Sequence, residues 1–502
     1  MFRDIVKSVA KNTSIMYMQQ LITWASTFLL MFFLPRYLGP VEYGRLFLGT
    51  SIVGIFMLIV QYGGNYLVAK SVSRAREKTG QLLVDAIGFR FVFGVVSLIC
   101  LVVLAYLADY PPSVRTVLFI CGSSLLWQGG MTVLYSCFQG HELMQYTSAG
   151  AITERVFVGV VGVAVLLMGA NAVVFAVVLL IAGLLNFLLL ASSARKIVPS
   201  IPRFNLHNAI QQIKDGVPYF LFTTFAAIYY RIDSVMLSKM APEQVVGWYG
   251  GAFRLFETLN FFPYIFTVAV FPILSRLWEE GEHIHKRTTQ KSLEFMIVVG
   301  VLVSVLVMGF ADKFIQILYG LTEYSPSVIL LQILSAGLLI LYIDMVLGTT
   351  LLSSDKQSQL SVTSLIMIPL KAGLNFVLIP YYQSHYSNGG IGAAIATFAT
   401  ELCVMFIYLY VMPRQILQGF RISVVSKSLL AGILMAGSIF LIRQSDSLWV
   451  IAACVGPVVY ALALFAMKTF EPAEEVFLRS VLAVRSVDGF RSLLRKKEPG
   501  AP

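Results

Sequence analysis

Five basic residues sit inside long apolar runs of this chain: Arg90, Arg155, Arg231, Arg254 and Lys371. An unpaired cation at the centre of a bilayer costs roughly 3 kcal/mol on insertion scales, so such residues face a wet cavity or a partner. A membrane interior with this much positive charge is suited to something anionic. Four carboxylates, Asp233, Glu257, Asp344 and Glu401, are also embedded in apolar sequence. A titratable carboxylate inside the membrane is what coupling to a proton or sodium gradient requires.

Spacing constrains how these charges meet. Arg254 and Glu257 are three residues apart on one helix face and could pair with each other. Arg231 and Asp233 stand about 200° apart around a helix of 3.6 residues per turn and cannot pair. Asp233 is therefore expected to reach Arg254 on the neighbouring helix, leaving Arg231 or Lys371 to an anionic group. The alternative is that these charges form interhelical ion pairs that fix the geometry of the bundle. Arg90 and Arg155 are expected nearer the cytoplasmic side, where either could line a cavity or snorkel to the interface. Asp85 is read as an ordinary solvated residue.

The elements that position these residues are transmembrane helices. Of 502 residues, 58% are hydrophobic and 13% charged, and the mean hydropathy is +0.80, which excludes a soluble globular chain. Windows of about 20 residues give about fourteen spans. Six lie near 13–34, 44–69, 83–108, 116–138, 150–169 and 171–193. Six more lie near 216–240, 246–271, 292–318, 327–352, 359–380 and 391–412, and a last pair near 426–442 and 448–467. The opening run is too long for a signal-peptide core and is read as a retained helix. Pro263 and Pro369 fall mid-span and are expected to kink their helices.

Lys and Arg gather in alternate loops. Lys70, Arg74, Arg76 and Lys78 share a side with Arg195, Lys196, Arg203 and Lys214, and with Arg276, Lys286, Arg287, Lys291, Arg414, Arg421 and Lys427. The positive-inside rule then puts both termini in the cytoplasm. The net charge of +11 follows from this topology and from a tail carrying Arg479, Arg485, Arg491, Arg495, Lys496 and Lys497, so nucleic acid is not required. Phe477, Val481, Val484, Val487, Phe490 and Leu494 give that tail an amphipathic period, and Phe2, Ile5, Val6 and Val9 do so opposite Arg3, Lys7 and Lys11. Both segments are read as interfacial anchors on anionic lipid.

Other chemistries are excluded or disfavoured, a membrane glycosyltransferase or polymerase being the less favoured enzyme alternative. The five cysteines lack C-x-x-C spacing and lie in apolar stretches, which argues against a disulfide framework or zinc site. The five histidines, His141, His207, His283, His285 and His385, are all placed in loops. His283-x-His285 lacks a third ligand, so no metal is expected. There is no P-loop, and hence no direct ATP hydrolysis. No D-x-D motif or large outward loop is present to carry a membrane glycosyltransferase or polymerase. No catalytic residue and no cofactor are assigned.

The chain also repeats itself. The turn Leu38-Gly39-Pro40-Val41-Glu42-Tyr43-Gly44 resembles Ala241-Pro242-Glu243-Gln244-Val245-Val246-Gly247-Trp248-Tyr249-Gly250, and each following helix ends in Ser-Arg, at Ser73-Arg74 and Ser275-Arg276. Two six-helix repeats of the same orientation would enclose a central cavity.

The run from Pro35-Arg36-Tyr37-Leu38-Gly39-Pro40 to Tyr43-Gly44 resembles the R-x-L-G-x-x-x-Y-G signature of bacterial polysaccharide (O-antigen type) flippases, the polysaccharide transporter family of the multidrug/oligosaccharidyl-lipid/polysaccharide (MOP) exporter superfamily. Tyr230-Arg231-Ile232-Asp233-Ser234-Val235-Met236-Leu237 is similar to that family's arginine-and-aspartate segment, and Gly390-Ile391-Gly392-Ala393-Ala394-Ile395-Ala396-Thr397 to its helix-twelve start. The resemblance spans roughly Asn12 to Met412. It implies an all-α polytopic membrane protein of two six-helix lobes plus two C-terminal helices.

The expected divisions are an interfacial segment 1–12, a first lobe 13–193, a cytoplasmic linker 194–215, a second lobe 216–413, the last two helices 426–468 and a basic tail 469–502. The implied activity is alternating-access transfer of an undecaprenyl-diphosphate-linked oligosaccharide from the cytoplasmic to the outer leaflet of the bacterial inner membrane. The implied partners are that lipid-linked sugar, membrane lipids, H+ or Na+, and polysaccharide assembly proteins. Arg90, Arg155, Arg231, Arg254 and Lys371 would bind substrate. Asp233, Glu257, Asp344 and Glu401 would couple ions or pair charges. The rival reading, an ion-coupled multidrug antiporter of the same superfamily, would favour an acidic aromatic interior.

Overall fold

Two prolines and a glycine break the first long helix. The computed structural model describes residues 2–62, 68, 71–72, 76–141, 143–198, 202–280, 282–443 and 448–470. Its first element, α1 (Phe2–Gln61), is helical on both sides of Gly39, where φ is 70° and ψ is 168°, with Pro35 and Pro40 flanking the break. Pro40 has no N–H for the helix ladder, its ring disfavours helical geometry at residue 39, and positive φ is open to glycine without strain. One continuous segment thus supplies the first two expected spans.

The rest of the first lobe is α2 (Thr79–Leu107), α3 (Pro112–Ser123), α4 (Leu125–Gly140), α5 (Met144–Leu167) and α6 (Ala172–Ala194). The second lobe contains α7 (Leu206–Met240), α8 (Glu243–Leu259), α9 (Phe261–Glu280), α10 (Glu282–Gly309), α11 (Ala311–Leu318), α12 (Ser327–Ser353), α13 (Gln357–Tyr386) and α14 (Gly390–Val411). The final pair is α15 (Ile422–Ile442) and α16 (Trp449–Ala466). No strand occurs among the described residues.

Eleven helical stretches among the described residues are long and apolar enough to cross a bilayer, the first being Met18–Gln61. The helices α7 and α8 carry Arg231, Asp233, Arg254 and Glu257. The expected mid-span disruption at Pro263 takes the form of a break, since α8 ends at Leu259 and α9 begins at Phe261. The helix α13 runs on through Pro369 and Pro380.

Helices in lipid associate through close packing and not through the hydrophobic effect. The two similar turns pack directly on each other in this way. A Cβ on Gly247 would lie 1.8 Å from the Pro40 carbonyl oxygen, and one on Gly44 would lie 2.3 Å from that of Glu243. Only glycine permits backbone to approach backbone so closely. Around this contact one hydrophobic core runs across both lobes, with Leu46, Phe47, Tyr249, Phe253, Leu334 and Leu338 all buried. The helices α15 and α16 share a separate core with α10, built on Val301, Met435, Ile439 and Tyr460. Tyr460 donates to the Val298 carbonyl at 2.8 Å, and Arg443 holds Asp312 at 2.5 Å.

Two expectations about polar residues are corrected. Asp85 is not solvated: it is fully buried, accepting from Gln81, from the Asn205 backbone N–H at 2.7 Å and from the Asn208 side chain at 3.3 Å. The linker between lobes folds back over α2, and α7 starts early because Asn205 caps it, accepting from the N–H groups of His207 and Asn208. The histidines are not all in loops: His207, His283, His285 and His385 lie in helices. His285 is fully buried between Trp278 and Ser353. The expected interfacial anchors, in the side chains of Phe2 to Lys11 and in the tail from Phe477 to Lys497, lie outside the described residues, as do Lys70 and Ser73-Arg74.

Candidate functional site

Three of the five singled-out cations share one cavity. Arg155 from α5, Arg231 from α7 and Arg254 from α8 line a space of about 200 Å³ together with Tyr43, Phe47 and Thr50 of α1. Arg254 and Met31 also line an adjoining space of about 750 Å³, whose walls include Trp24, Tyr230, Glu257, Phe261 and Tyr264. The combined lining draws on both lobes. Glu257 is its one carboxylate among the described residues.

Glu257 lies between two arginines, with Oε1 3.5 Å from Arg231 and Oε2 3.5 Å from Arg254. Well-formed arginine–carboxylate contacts are about 2.7–2.9 Å, so these pairs are loose and leave guanidinium N–H groups for a ligand. Arg231 also donates to Ser51 Oγ at 3.4 Å. Both guanidinium groups are partly exposed, with side chains 29% and 45% accessible. Arg155 is adjacent in sequence to Glu154, yet the two diverge. Glu154 accepts from Asn186 at 2.6 Å inside the first lobe, where Asn186 also donates to Tyr135, while Arg155 lines the cavity.

Arg90 and Lys371 lie elsewhere. Arg90 is fully buried between α2 and α4, donating to Thr132 Oγ1 at 2.9 Å and to the Gly129 carbonyl at 3.4 Å. Lys371 of α13 is 2% exposed and holds Asp233 of α7, itself 1% exposed, at 2.7 Å. This corrects the expected pairing of Asp233 with Arg254. Arg231 and Asp233 do diverge as helix geometry requires, but Asp233 turns towards α13 and α14 while Arg231 turns into the cavity. Asn375, Thr397 and Tyr249 also donate to Asp233, at 2.6, 2.9 and 3.4 Å. Lys371 additionally donates to the Tyr229 carbonyl at 3.1 Å. The Asp233 carboxylate is thus filled by the protein's own ammonium, amide and hydroxyl donors.

The last two expected carboxylates share a third space. Asp344 of α12 and Glu401 of α14 line a cavity of about 300 Å³ with Tyr229, Tyr230 and Tyr408. Glu401 accepts from the Tyr229 hydroxyl at 2.9 Å. Among the described residues no group of three or more His, Cys, Asp or Glu side chains is arranged to hold a metal.

One side of the cavity is closed by contacts that single-residue reasoning missed. Arg45 Nε lies 2.6 Å from Glu243 Oε2, across the lobes. Arg45 also pairs with Glu42, whose other oxygen accepts from the Ala172 N–H at 2.9 Å at the start of α6. Tyr110 meets Ser238 at 2.9 Å, and Lys239 reaches the Ala108 carbonyl. The signal in the sequence was the similarity of the two turns, which brings Glu42, Arg45 and Glu243 into the same neighbourhood.

Residues 9–278 match the family described as "Polysaccharide biosynthesis protein", and residues 150–459 match "Lipid II flippase MurJ". It is 22% identical over 217 residues to the capsular polysaccharide biosynthesis protein CapF of Staphylococcus aureus. That match covers 42% of this chain and 53%, or about half, of that relative's length. It is 23% identical over 413 residues to the putative O-antigen transporter of Shigella dysenteriae, covering 80% of this chain and 98% of that protein. In fold it is similar to the inward closed conformation of the lipid II flippase MurJ, with TM-score 0.70 and 15% identity over 94% of this chain and 100% of that one. It is similar also to an inward-facing multidrug resistance MATE family transporter of the MOP superfamily, with TM-score 0.60 and 12% identity over 80% of this chain and 96% of that one.

Proposed function

The chain belongs to the polysaccharide biosynthesis protein family within the multidrug/oligosaccharidyl-lipid/polysaccharide exporter superfamily, a membrane transporter and not an enzyme, and from this we propose that it flips an undecaprenyl-diphosphate-linked oligosaccharide. The observation that carries the proposal is the convergence of Arg155, Arg231 and Arg254 on one interlobe cavity with Glu257 as the counter-charge. Three guanidinium groups against one carboxylate leave a surplus of positive charge. Arginine presents several N–H donors in a planar fork that matches phosphate oxygens, so a diphosphate can be received here at modest cost in desolvation.

The loose Glu257 contacts fit a site that waits for its anion. An arriving diphosphate takes over the donors that Glu257 holds at 3.5 Å. Aromatic walls at Trp24, Phe261 and Tyr264 offer surfaces for sugar rings and for the first isoprene units. With both termini in the cytoplasm of a bacterial inner-membrane protein, the sealed turns 38–44 and 241–250 face outward. The cavity then loads from the cytoplasmic leaflet, and alternating access requires the Arg45–Glu243 seal to open.

The test is native mass spectrometry of the purified protein against a polyprenyl diphosphate and an uncharged polyprenol of the same length. Selective retention of the diphosphate, lost in Arg231→Glu, supports the proposal. Equal retention of both lipids, or preferential retention of an organic cation, favours the drug-antiporter reading.

A further inference from the structure

The segment from Tyr381 to Ser387, Tyr-Tyr-Gln-Ser-His-Tyr-Ser, contains no aliphatic residue and no Asp, Glu, Lys or Arg. It forms the last turns of α13 and the left-handed cap at Ser387, where φ is 52°. Its four aromatic side chains fall at positions i, i+1, i+4 and i+5 of the helix and stack in two pairs. The Tyr381 and His385 rings lie 4.4 Å apart at 29°, the Tyr382 and Tyr386 rings 5.6 Å apart at 30°, and Tyr381 meets Tyr382 edge to face at 85°. The Tyr381 carbonyl, which can only accept, lies 2.9 Å from His385 Nδ1. That contact fixes the proton on Nδ1 and leaves Nε2 as the ring's remaining acceptor.

This end of α13 stands clear of the bundle. A Cβ on Gly392 of α14 would lie 2.5 Å from the Leu378 carbonyl oxygen, and Gln383 accepts from the Gly389 N–H at 2.9 Å, so α14 starts beside residues 378–383. Tyr386 lies about 10 Å further along the helix than Ile379. It occupies the helix face on which Asn375 and Ile379 are fully buried, yet it is 64% exposed. Tyrosines that anchor a helix in the membrane interface lie on its lipid-facing stripe. Tyr381 continues the exposed stripe of Leu370 and Val377, and Tyr386 does not. Asn388 donates to the Pro326 carbonyl at 3.3 Å, and the adjoining Ser327 donates to the Trp248 carbonyl at 2.9 Å. The rings therefore stand at the same end of the molecule as the seal between the turns 38–44 and 241–250.

An exposed surface of rings edged with hydroxyl, amide and imidazole groups, and free of carboxylate, ammonium and aliphatic side chains, has the two properties a sugar demands. Ring faces meet the apolar C–H face of a pyranose, and polar edges meet its hydroxyls. Because the rings already back one another, little side-chain entropy remains to be lost on binding. We propose that Tyr381, Tyr382, His385 and Tyr386 form a saccharide-binding platform that holds the glycan of the lipid-linked oligosaccharide at the face where it emerges. The glycan's carrier and the outward orientation rest on the flippase reading above, whereas the sugar contact rests on the rings alone.

The test is saturation-transfer NMR on the full-length protein in lipid nanodiscs, with the oligosaccharide released by mild acid from the lipid-linked pool of its native cells, so that neither diphosphate nor lipid is present. The wild type should transfer saturation to the ring C–H protons of the sugar. Tyr386→Ala and His385→Ala should each weaken binding by about tenfold, Tyr386→Phe should keep most of it, and Arg231→Glu should leave it unchanged. No transfer in the wild type, or transfer that neither alanine variant reduces, overturns the proposal. So does full binding in Tyr386→Leu, which would make the ring mere apolar surface for lipid or for a partner protein, or loss of binding in R231E, which would put the sugar in the interlobe cavity. Platform-dependent sugar binding by a protein that moves no lipid-linked sugar between leaflets counts against the flippase reading alone.

Discussion

Arg45 and Glu243 are joined across the two lobes at 2.6 Å, the first directly after one and the second within the other of the two turns that resemble one another in sequence. The bridge lies beside the point where Gly247 meets the Pro40 carbonyl and Gly44 meets the Glu243 carbonyl. A charge pair and a backbone-on-backbone contact therefore close the same end of the molecule. The pair is partly exposed and contributes little by itself. The glycine contact sets how closely the lobes approach.

Gly247→Val is accordingly expected to hold the lobes apart at this end. The added side chain would begin 1.8 Å from a carbonyl oxygen, an overlap that the backbone must relieve. Overpacking of this kind costs about 1–3 kcal/mol, enough to shift the conformational balance substantially. A cysteine placed at Thr50, which lines the cavity beneath the seal, should then be labelled faster from the sealed side. Unchanged labelling would show that the turns do not form the closure.

The cavity arginines carry a second prediction. A hydrogen bond to a charged group contributes about 1.5–3 kcal/mol, so Arg231→Ala or Arg254→Ala should lower transport at sub-saturating substrate by roughly ten- to a hundredfold. Charge reversal to Glu should abolish transport while the thermal unfolding profile stays close to that of the wild type. Lysine at either position should restore charge without the planar fork and recover only part of the activity.

The pair of Asp233 and Lys371 predicts the opposite pattern. Both groups are essentially inaccessible, and removing one partner of a buried pair costs about 3–5 kcal/mol because the other is left uncompensated. Lys371→Met should therefore lower thermal stability markedly. The double variant Asp233→Asn with Lys371→Met should recover most of the loss. If K371M alters substrate affinity without altering stability, then Lys371 belongs to the transport pathway after all.

Asp85 offers a test of how the lobes are tethered. It accepts hydrogen bonds from the Asn205 backbone, Asn208 and Gln81. Asp85→Ala leaves the Asn205 and Asn208 donors without that acceptor at a cost of about 1–3 kcal/mol each where they stay buried, while Gln81 keeps the Arg203 carbonyl. Limited proteolysis should then cut the segment around Arg203 faster than in the wild type.

Much of the architecture was legible in the sequence because it rests on local rules. Pro35, Gly39 and Pro40 announce the break in α1, and the three-residue spacing of Arg254 and Glu257 announces their contact. The divergence of Arg231 and Asp233 follows from the helical period alone. What the sequence did not disclose depends on how helices rotate and tilt against each other. Asp233 chose Lys371 over Arg254 because α7 presents that face to α13. Asp85 and His285 became buried because a linker and a neighbouring helix fold over them. These are properties of packing, and nothing in the spacing of single helices encodes them.

The most direct test of the central claim is lipid transfer itself. The purified protein is placed in liposomes containing a fluorescently labelled polyprenyl-diphosphate oligosaccharide, and the rate at which label becomes reachable from the opposite leaflet is measured under imposed proton or sodium gradients. The cationic-cavity account predicts protein-dependent crossing that is abolished in Arg231→Glu and Arg254→Glu. Crossing at the wild-type rate in both variants, or no crossing in the wild type while an organic cation is exchanged against the gradient, would contradict it.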